Sequence, residues 1–517
     1  MKRQNSDTEN RQAAELSSRL WSIANDLRGN MDASKFKDYI LSIIFYRYLS
    51  EHAAQWAENM WPGEKGSYEE LFSRDPSAFR SWSLDSLGYV LEPRYLFSSL
   101  IRRIEAGTFS VSLLKEAVES VTASPRTPEA KAAFDGIFDS LDLNAMELGK
   151  NEEQRSRLIS RVLLTISEIS FGAGDAAMDV LGTAYMILIG LFASDAGKKG
   201  GEFFTPVQFS RLCARLACLG LEEIPSACDP AMGSATMLLE VSRAAGEIPV
   251  GHFYGQEKNR TTYNLARMNM LVHGISCGKF SFYNDDTIAS DQFGSRRFRV
   301  QVANPPYSQK WDAPGEYLKD PRFAGPGRLA PRSYEDLAFV LHMIWHMDEE
   351  GRAVVLLPHG VLFRGGAEAA IRSYFIRDLN VLDAVIGLPA GCFHSTPIPV
   401  CCLVFARGRS CQDSILFMDA SRSFVPGKRM NTISDRDLEH IVAACTARED
   451  EDRFCRNVSR KEIEDNDYNL TISRYVDVRE TAPPVDLGRV QKDLEEHRAL
   501  CRRLEQQVDE YLSRLGL

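Results

Sequence analysis

Residues 226–236 have the sequence Ser-Ala-Cys-Asp-Pro-Ala-Met-Gly-Ser-Ala-Thr, in which a short apolar segment leads into a turn of small residues. The segment predicts a buried strand, and the pattern after Thr236 predicts a helix. Gly233 lets the backbone of the turn pass close to a ligand. We therefore expect a strand, a turn and a helix, with the turn at the carboxyl end of the strand, where open α/β sheets bind ligands. A plain tight turn is the structural alternative.

On both sides of this turn, short apolar segments alternate with helical patterns. The predicted strands are residues 226–228, 253–255, 280–283, 300–303, 353–357, 381–386 and 400–405. Such alternation indicates an α/β fold, a mostly parallel sheet covered by helices on both faces. Only a turn-rich segment separates the last two strands, so we expect them to form an antiparallel pair at the sheet edge.

Acidic residues follow the next two predicted strands. Glu257 lies about as far along as an acid that binds ribose hydroxyls in a dinucleotide fold, and a carboxylate accepts from both hydroxyls. Asp286 ends the third strand, where its carboxylate is suited to accept from the exocyclic amine of an adenine ring, and Asp285 is the rival for this role. The structural alternatives are an acid that starts a helix and an aspartate that forms a turn.

The fourth predicted strand runs into Asn304, Pro305, Pro306 and Tyr307. An aromatic amine is hard to methylate because its lone pair is delocalised into the ring. The side-chain carbonyl of Asn304 and the backbone carbonyl of Pro305 can each accept one amino hydrogen, which localises the lone pair on the nitrogen. The prolines fix the backbone, and Tyr307 offers a ring to a base turned out of a duplex. The motif therefore predicts methylation of a planar nitrogen rather than a simple strand terminator.

The composition narrows the class of protein. A chain of 517 residues predicts two or three domains. Its net charge of -10 predicts that a partner supplies much of any affinity for DNA. The 11 cysteines include no Cys-x-x-Cys pair, which indicates buried thiols in a reducing cytoplasm. The sequence contains no apolar run of membrane length, no signal peptide, no Pro-Cys dipeptide and no phosphate-binding P-loop. We therefore expect no membrane association, no covalent attack on cytosine and no ATP-driven motor.

Three further segments carry expectations. Residues 11–170 predict a helical region, and the Pro- and Gly-rich segment 313–331 predicts a loop that is mobile or becomes ordered on binding. His342 and His346 lie four residues apart without a third ligand, so we predict that they are structural and that the chain has no metal site.

Apolar residues recur at heptad spacing near the end of the chain and predict an amphipathic helix that packs either on this chain or on another subunit. The stripe consists of Leu487, Val490, Leu494, His497, Cys501, Leu504, Val508, Tyr511 and Leu515.

Taken together, these motifs resemble those of the modification (methyltransferase) subunit of type I restriction–modification systems. Gly-Gly-Glu-Phe-Phe-Thr-Pro at 200–206 is similar to the signature that precedes the family's cofactor strand. Gly-Gln-Glu at 255–257, Leu-Pro-His-Gly-Val-Leu-Phe at 357–363 and Ile-Gly-Leu-Pro at 386–389 are similar to later family segments. The resemblance spans roughly residues 15–480.

The resemblance implies a Rossmann-like methyltransferase that uses S-adenosylmethionine. It implies a helical domain over residues 1–170, a catalytic domain over 171–480 and a C-terminal helix for subunit assembly over 481–517. Catalysis would rest on Asn304, Pro305, Pro306 and Tyr307. The implied cofactor contacts are Glu202, Phe203, Phe204, Thr205, Pro206, Val207, Asp229, Gly233, Ser234, Ala235, Thr236, Glu257 and Asp286.

The implied activity is methylation of the exocyclic amino group of adenine in double-stranded DNA. A separate specificity subunit would choose the target, usually with two methyltransferase subunits to one, and a motor–nuclease subunit can join them. The chain departs from the family where Tyr307 replaces the usual Phe, where Phe204 replaces a common Tyr, and at Met232 and Ala235-Thr236 in the glycine turn. A protein glutamine methyltransferase and a non-catalytic scaffold are the alternatives, and the helical ends of the chain favour the DNA enzyme.

Overall fold

The computed structural model describes residues 33–62, 65–169, 185–186, 188–190, 205–393, 398–409, 413–427, 430–478 and 487–516. The chain divides into two compact units, Met1–Val476 and Asp477–Leu517. No helix within those described ranges is both long and apolar enough to span a bilayer.

Helices form the described part of the chain before the sheet, which confirms the helical expectation. They are α1 (Ala33–Met60), α2 (Tyr68–Arg74), α3 (Pro76–Leu87), α4 (Phe97–Glu105), α5 (Val111–Ala123), α6 (Pro128–Phe134) and α7 (Glu152–Ser167). Side chains cap several N-termini; Ser67, for example, forms a capping box with Glu70. Residues 39–46 of α1 are buried on every side, so this helix forms the centre around which the others pack.

A nine-stranded sheet follows, with the strand order β3-β2-β1-β4-β5-β7-β6-β8-β9. The strands are β1 (Ile224–Asp229), β2 (Val250–Gln256), β3 (Phe280–Tyr283), β4 (Phe298–Ala303), β5 (Met347–Pro358), β6 (Leu382–Gly387), β7 (Val400–Ala406), β8 (Ser414–Asp419) and β9 (Cys455–Ser459). Strands β1 to β5 pair in parallel, β6 pairs in parallel with β8, and β7 and β9 are antiparallel to their neighbours. The predicted α/β class, the mostly parallel sheet and the β6–β7 antiparallel pair are confirmed.

The predicted position of that pair was wrong. Strand β7 lies between β5 and β6 inside the sheet, and β8 and β9 extend the sheet beyond β6. Neither of these outer strands was predicted. Strand β9 has the sequence Cys-Arg-Asn-Val-Ser, which lacks the apolar pattern by which a strand is recognised. It joins the sheet through backbone pairing with β8.

Helices connect the strands and pack against the sheet. They are α8 (Val207–Ala217), α9 (Thr236–Ala244), α10 (Arg260–Val272), α11 (Asp336–Trp345), α12 (Gly360–Phe363), α13 (Ala367–Ser373), α14 (Asp435–Ala447) and α15 (Arg460–Asp465). The helix α16 (Leu487–Leu515) belongs to the second unit. Its apolar stripe is exposed: the side chains of Leu494, Leu504 and Val508 are 49%, 50% and 55% accessible.

The segment 313–331 is packed against the protein rather than extended into solvent. Arg322 is 8% exposed and donates hydrogen bonds to the backbone carbonyls of Thr287 and Ile288, at 3.1 and 3.0 Å. The rings of Trp311 and Tyr317 stack with their centroids 5.8 Å apart. Buried hydrogen bonds from one arginine therefore hold a segment whose composition indicated a mobile loop.

Candidate active site

The carboxyl ends of β1 to β4 lie side by side because these strands run parallel. The turn at Gly233 follows β1, Glu257 follows β2, Asp286 follows β3 and Asn304 follows β4. The sheet therefore gathers at one edge four motifs that are far apart along the chain.

The turn after β1 has a constrained backbone. Gly233 and Ala235 have φ angles of 52° and 61°, a left-handed conformation that alanine adopts only at a cost. The N–H of Met232 donates to the carbonyl of Gln256 at 3.1 Å, which ties the turn to the end of β2. Ser234 and Thr236 are buried and their hydroxyls bond to each other at 2.8 Å, so these hydroxyls are satisfied inside the protein.

Glu257 joins the ends of the first two strands. Its Oε2 accepts from the backbone N–H of Gly233 at 3.1 Å, and its Oε1 accepts from that of Asn259 at 2.7 Å. Burial raises the pKa of Glu257, and the backbone hydrogen bonds oppose that shift. Burial also raises the pKa of Asp229 to about 8; the hydrogen bond from Ala231 opposes this shift and the charge of Glu257 adds to it. A cationic ligand would favour ionisation of both carboxyl groups.

The acidic turn after β3 uses both of its carboxylates. Asp286 accepts from the backbone N–H groups of Ile288 and Ala289 at 3.0 Å each and from Lys258 Nζ at 2.8 Å. Burial opposes ionisation of Asp286, but the contact with Lys258 and the backbone bonds hold its pKa below the ordinary value. Asp285 accepts from the N–H of Asp286 and from the side chains of Ser290 and Gln292. Both aspartates thus cap the turn, and the assignment of Asp286 to the cofactor stays a prediction.

The side-chain amide of Asn304 is bonded at both ends. Its Nδ2 donates to Oγ1 of Thr205 at 2.9 Å, and its Oδ1 accepts from the hydroxyl of Tyr307 at 2.6 Å. Pro305 is buried, and no hydrogen bond from a described residue reaches its carbonyl oxygen. The motif therefore presents one carboxamide in a fixed place beside one backbone acceptor.

Two residues that sequence reasoning missed support this motif. Asp336, wholly buried at the start of α11, accepts at Oδ1 from the backbone N–H of Ser308 at 3.0 Å and holds the turn after Tyr307. Phe393 places its ring edge-on to that of Tyr307, with the centroids 6.5 Å apart and the planes at 71°. Nothing in the local sequence marks either residue, because each lies far along the chain from the motif that it contacts.

The segment before α8 is described only in part. Glu202, Phe203 and Phe204 lie outside the described residues. Pro206 accepts backbone hydrogen bonds from Phe209 and Ser210, and Val207 is the first residue of α8. Thr205 is 7% exposed and lies against Asn304, so the structure brings this residue to the motif at 304–307.

His342 of α11 and His346, which directly follows this helix, have a third polar neighbour. Asp291 Oδ2 lies 3.0 Å from His346 Nε2, and ligand atoms of Asp291, His342 and His346 lie within 4.8 Å of one another. However, the guanidinium of Arg322 lies 3.2 Å from Nδ1 of His342 and already brings a positive charge to the cluster. Burial disfavours ionisation of Asp291, but the hydrogen bond from His346 and the imidazoles lower its pKa to about 2. The described residues therefore form a hydrogen-bonded cluster in which Arg322 lies beside His342 and Asp291 lies beside His346.

Comparison with known proteins identifies the family. Residues 16–166 match the HsdM N-terminal domain, and residues 176–483 match the family described as N-6 DNA Methylase.

Individual relatives point to the same family as the two domain matches. The chain is 33% identical to the type I restriction enzyme MpnII methylase subunit of Mycoplasma pneumoniae, over 95% of this chain and 94% of that relative. It is 30% identical to the HindI methylase subunit of Haemophilus influenzae, over 59% of this chain and 70% of that protein. The crystal structure of a type I restriction-modification methyltransferase subunit from Streptococcus thermophilus aligns with a TM-score of 0.83 at 35% identity, over 90% of this chain and all of that one. The chain therefore belongs to the methylase subunits of type I restriction enzymes, and it is a DNA methyltransferase specific for adenine.

Proposed function

We propose that this chain transfers a methyl group from S-adenosylmethionine to the exocyclic amine of a target adenine, with residues 304–307 as the catalytic motif. The observation that carries the proposal is the placement of the Asn304 carboxamide beside the turn at Gly233 and Glu257, at one edge of a parallel sheet. An acceptor for amino hydrogens therefore lies near the residues that we assign to a nucleoside cofactor.

The residues after β1 and β2 fit this cofactor. A Cβ atom on Gly255 would lie 2.4 Å from Sδ of Met232, so the turn after β1 packs against β2 as closely as glycine allows. The buried carboxylates of Asp229 and Glu257 suit a ligand with a positive charge and ribose hydroxyls. When bound, S-adenosylmethionine supplies an electrophilic methyl group. We assign its binding to Asp229, Gly233 and Glu257, with Asp286, residues 202–204, residues 206–207 and residues 234–236 completing the pocket, whereas the side chain of Thr205 bonds to Asn304 instead.

The catalytic motif acts on the nucleophile. Asn304 Oδ1 and the carbonyl of Pro305 each accept one hydrogen of the adenine amine, which localises the lone pair on the nitrogen. Because Asn304 and Pro305 are adjacent and Pro306 restricts the backbone, the two acceptors keep a fixed separation. The ring of Tyr307 stacks on the base, which compensates part of the few kcal/mol that turning a base out of the duplex costs.

The chain works with partners on double-stranded DNA in the cytoplasm. Its net charge of -10 is unlike that of a protein that binds a duplex alone. Its relatives are named as subunits of type I restriction enzymes. We assign target choice to a specificity subunit, with two copies of this chain to one, and cleavage to a motor–nuclease subunit that joins them. The exposed stripe of α16 is the surface that we assign to assembly.

The test is the Asn304→Ala variant of the full chain, assembled with its specificity subunit. We expect transfer of a labelled methyl group to target DNA to fall by at least about 100-fold, since the carboxamide contacts the reacting nitrogen. Affinity for S-adenosylmethionine, measured by calorimetry, should stay within about threefold. Unchanged methylation of adenine would refute the assigned role, and methylation of a protein glutamine in place of DNA would refute the substrate.

A further inference from the structure

The two hydrogen bonds to the side chain of Asn304 have different consequences. The partner of Nδ2 is Thr205, a buried residue 99 positions earlier in the chain. The partner of Oδ1 is Tyr307, three positions later in the motif itself. Only Oδ1 can accept an amino hydrogen of the substrate. The bond from Nδ2 to Thr205 therefore has to persist during the reaction, whereas the bond from Tyr307 occupies the oxygen that the substrate needs.

The bond to Thr205 sets the orientation of the amide. Without a base, either orientation of the carboxamide is satisfied, because both neighbours are hydroxyl groups that donate and accept. Once Oδ1 faces a base, Nδ2 still requires an acceptor, and a buried N–H without one is costly. Thr205 Oγ1 is the acceptor that the structure provides, so it favours the orientation in which the carbonyl meets the substrate.

The hydroxyl of Tyr307 has the opposite effect. It donates to the very oxygen that we assign to the adenine amine, and its ring rests edge-on against Phe393. Burial holds the pKa of Tyr307 well above its ordinary value, so the phenol keeps its proton and remains a donor. A phenylalanine at this position would lack the hydroxyl, so the bond depends on tyrosine at 307.

We propose that Thr205 is a positioning residue that orients Asn304 for methyl transfer, and that the hydroxyl of Tyr307 is a placeholder that an incoming adenine displaces. The proposal rests on the proposed role of Asn304. It gives Thr205, a residue outside the motif, a part in the reaction. It also makes the hydroxyl of Tyr307 a competitor of the base for Oδ1 of Asn304.

The first test compares Thr205→Val with Thr205→Ser in the full chain assembled with its specificity subunit. Valine keeps the shape of threonine and removes the acceptor, whereas serine keeps the acceptor. We expect the single-turnover methylation rate to fall roughly 5- to 100-fold in Thr205→Val, the effect of an unsatisfied buried N–H, and to recover largely in Thr205→Ser. Cofactor affinity and thermal unfolding should be alike in the two variants.

The outcomes separate this proposal from the proposed function. Equal rates in Thr205→Val and Thr205→Ser overturn the positioning role even if Asn304→Ala is inactive. A loss in Thr205→Val that appears only as weaker cofactor binding also overturns it, because that result assigns the hydroxyl to the cofactor. An active Asn304→Ala variant would instead refute the function itself.

The second test uses Tyr307→Phe and a duplex that keeps the target adenine and carries fluorescent 2-aminopurine at a neighbouring position, where its fluorescence reports that the adenine has left the stack. Removal of the hydroxyl frees Oδ1 and keeps the ring, so we expect the extrahelical base to be bound about 2- to 10-fold more tightly, the range of one net hydrogen bond. Affinity for a duplex without the target should not change. Equal or weaker binding of the extrahelical adenine by Tyr307→Phe would show that the hydroxyl does not compete with it.

Discussion

The backbone N–H of Gly233 donates a hydrogen bond of 3.1 Å to the Oε2 atom of Glu257. This bond joins the turn after β1 to the end of β2, so one carboxylate both shapes the glycine turn and lies in the pocket that we assign to the cofactor. The second oxygen accepts from Asn259, and both bonds use the acceptor character of the side chain rather than its charge.

Replacement of Glu257 by Gln therefore separates shape from charge. The amide oxygen of Gln can still accept from Gly233, but an amide has one acceptor oxygen where the carboxylate has two. We expect Glu257→Gln to weaken binding of S-adenosylmethionine about 10-fold and Glu257→Ala to weaken it further, while both variants stay folded. Calorimetry measures both affinities, and equal affinity in the wild type and Glu257→Gln would remove Glu257 from the cofactor site.

The raised pKa of Asp229 predicts that cofactor binding depends on pH. Near pH 7 the buried carboxyl is largely protonated, because burial raises its pKa to about 8. A bound positive charge favours the ionised form, so binding releases a proton and affinity falls, by at most about tenfold per pH unit, as the pH falls below about 8. Calorimetry in buffers of different ionisation enthalpy counts the released proton, and Asp229→Asn should abolish the release.

The raised pKa of Asp229 also predicts how the stability of the ligand-free protein depends on pH. The folded state holds a proton up to about pH 8, whereas the unfolded chain releases it near 3.8. The folded state thus binds more protons between these values, and this group's contribution to stability falls as the pH rises through that window. Chemical unfolding at pH 5, 6.5 and 8 should show a smaller decline in Asp229→Asn than in the wild type.

The meeting of these motifs was predictable because each one follows a predicted strand. Strands β1 to β4 carry buried apolar residues, and the parallel arrangement places their carboxyl ends together. Contacts such as that of Thr205 with Asn304 were not predictable, because two positions 99 residues apart carry no pattern that pairs them. Strand β9 was missed because its side chains do not form an apolar pattern, although its backbone pairs with β8. The domain boundaries near residues 170 and 480 stay predictions.

Gly255 should tolerate no side chain. A Cβ atom there would lie 2.4 Å from Sδ of Met232 and 3.1 Å from a ring carbon of Phe282. We expect Gly255→Ala to lower the free energy of unfolding by about 1–3 kcal/mol, as overpacking does, and to weaken cofactor binding by displacing Met232 and the adjoining turn. Gly278→Ala is the control, since nothing lies within 4 Å of its Cβ position. If Met232 is the obstacle, Gly255→Ala should cost less in a Met232→Ala background than in the wild type.

The exposed stripe of α16 predicts the outcome of an assembly experiment. Leu494, Leu504 and Val508 are about half accessible, and a stripe at heptad spacing is stabilised when it is buried against a partner. The triple variant Leu494→Glu/Leu504→Glu/Val508→Glu, like deletion of residues 484–517, should weaken association with the specificity subunit in gel filtration and leave cofactor affinity unchanged. Ala499→Glu/Gln506→Glu/Ser513→Glu adds the same charge on the opposite face and should assemble normally. A lower melting temperature of the isolated chain with normal assembly would show instead that the stripe packs on this chain's own helical domain.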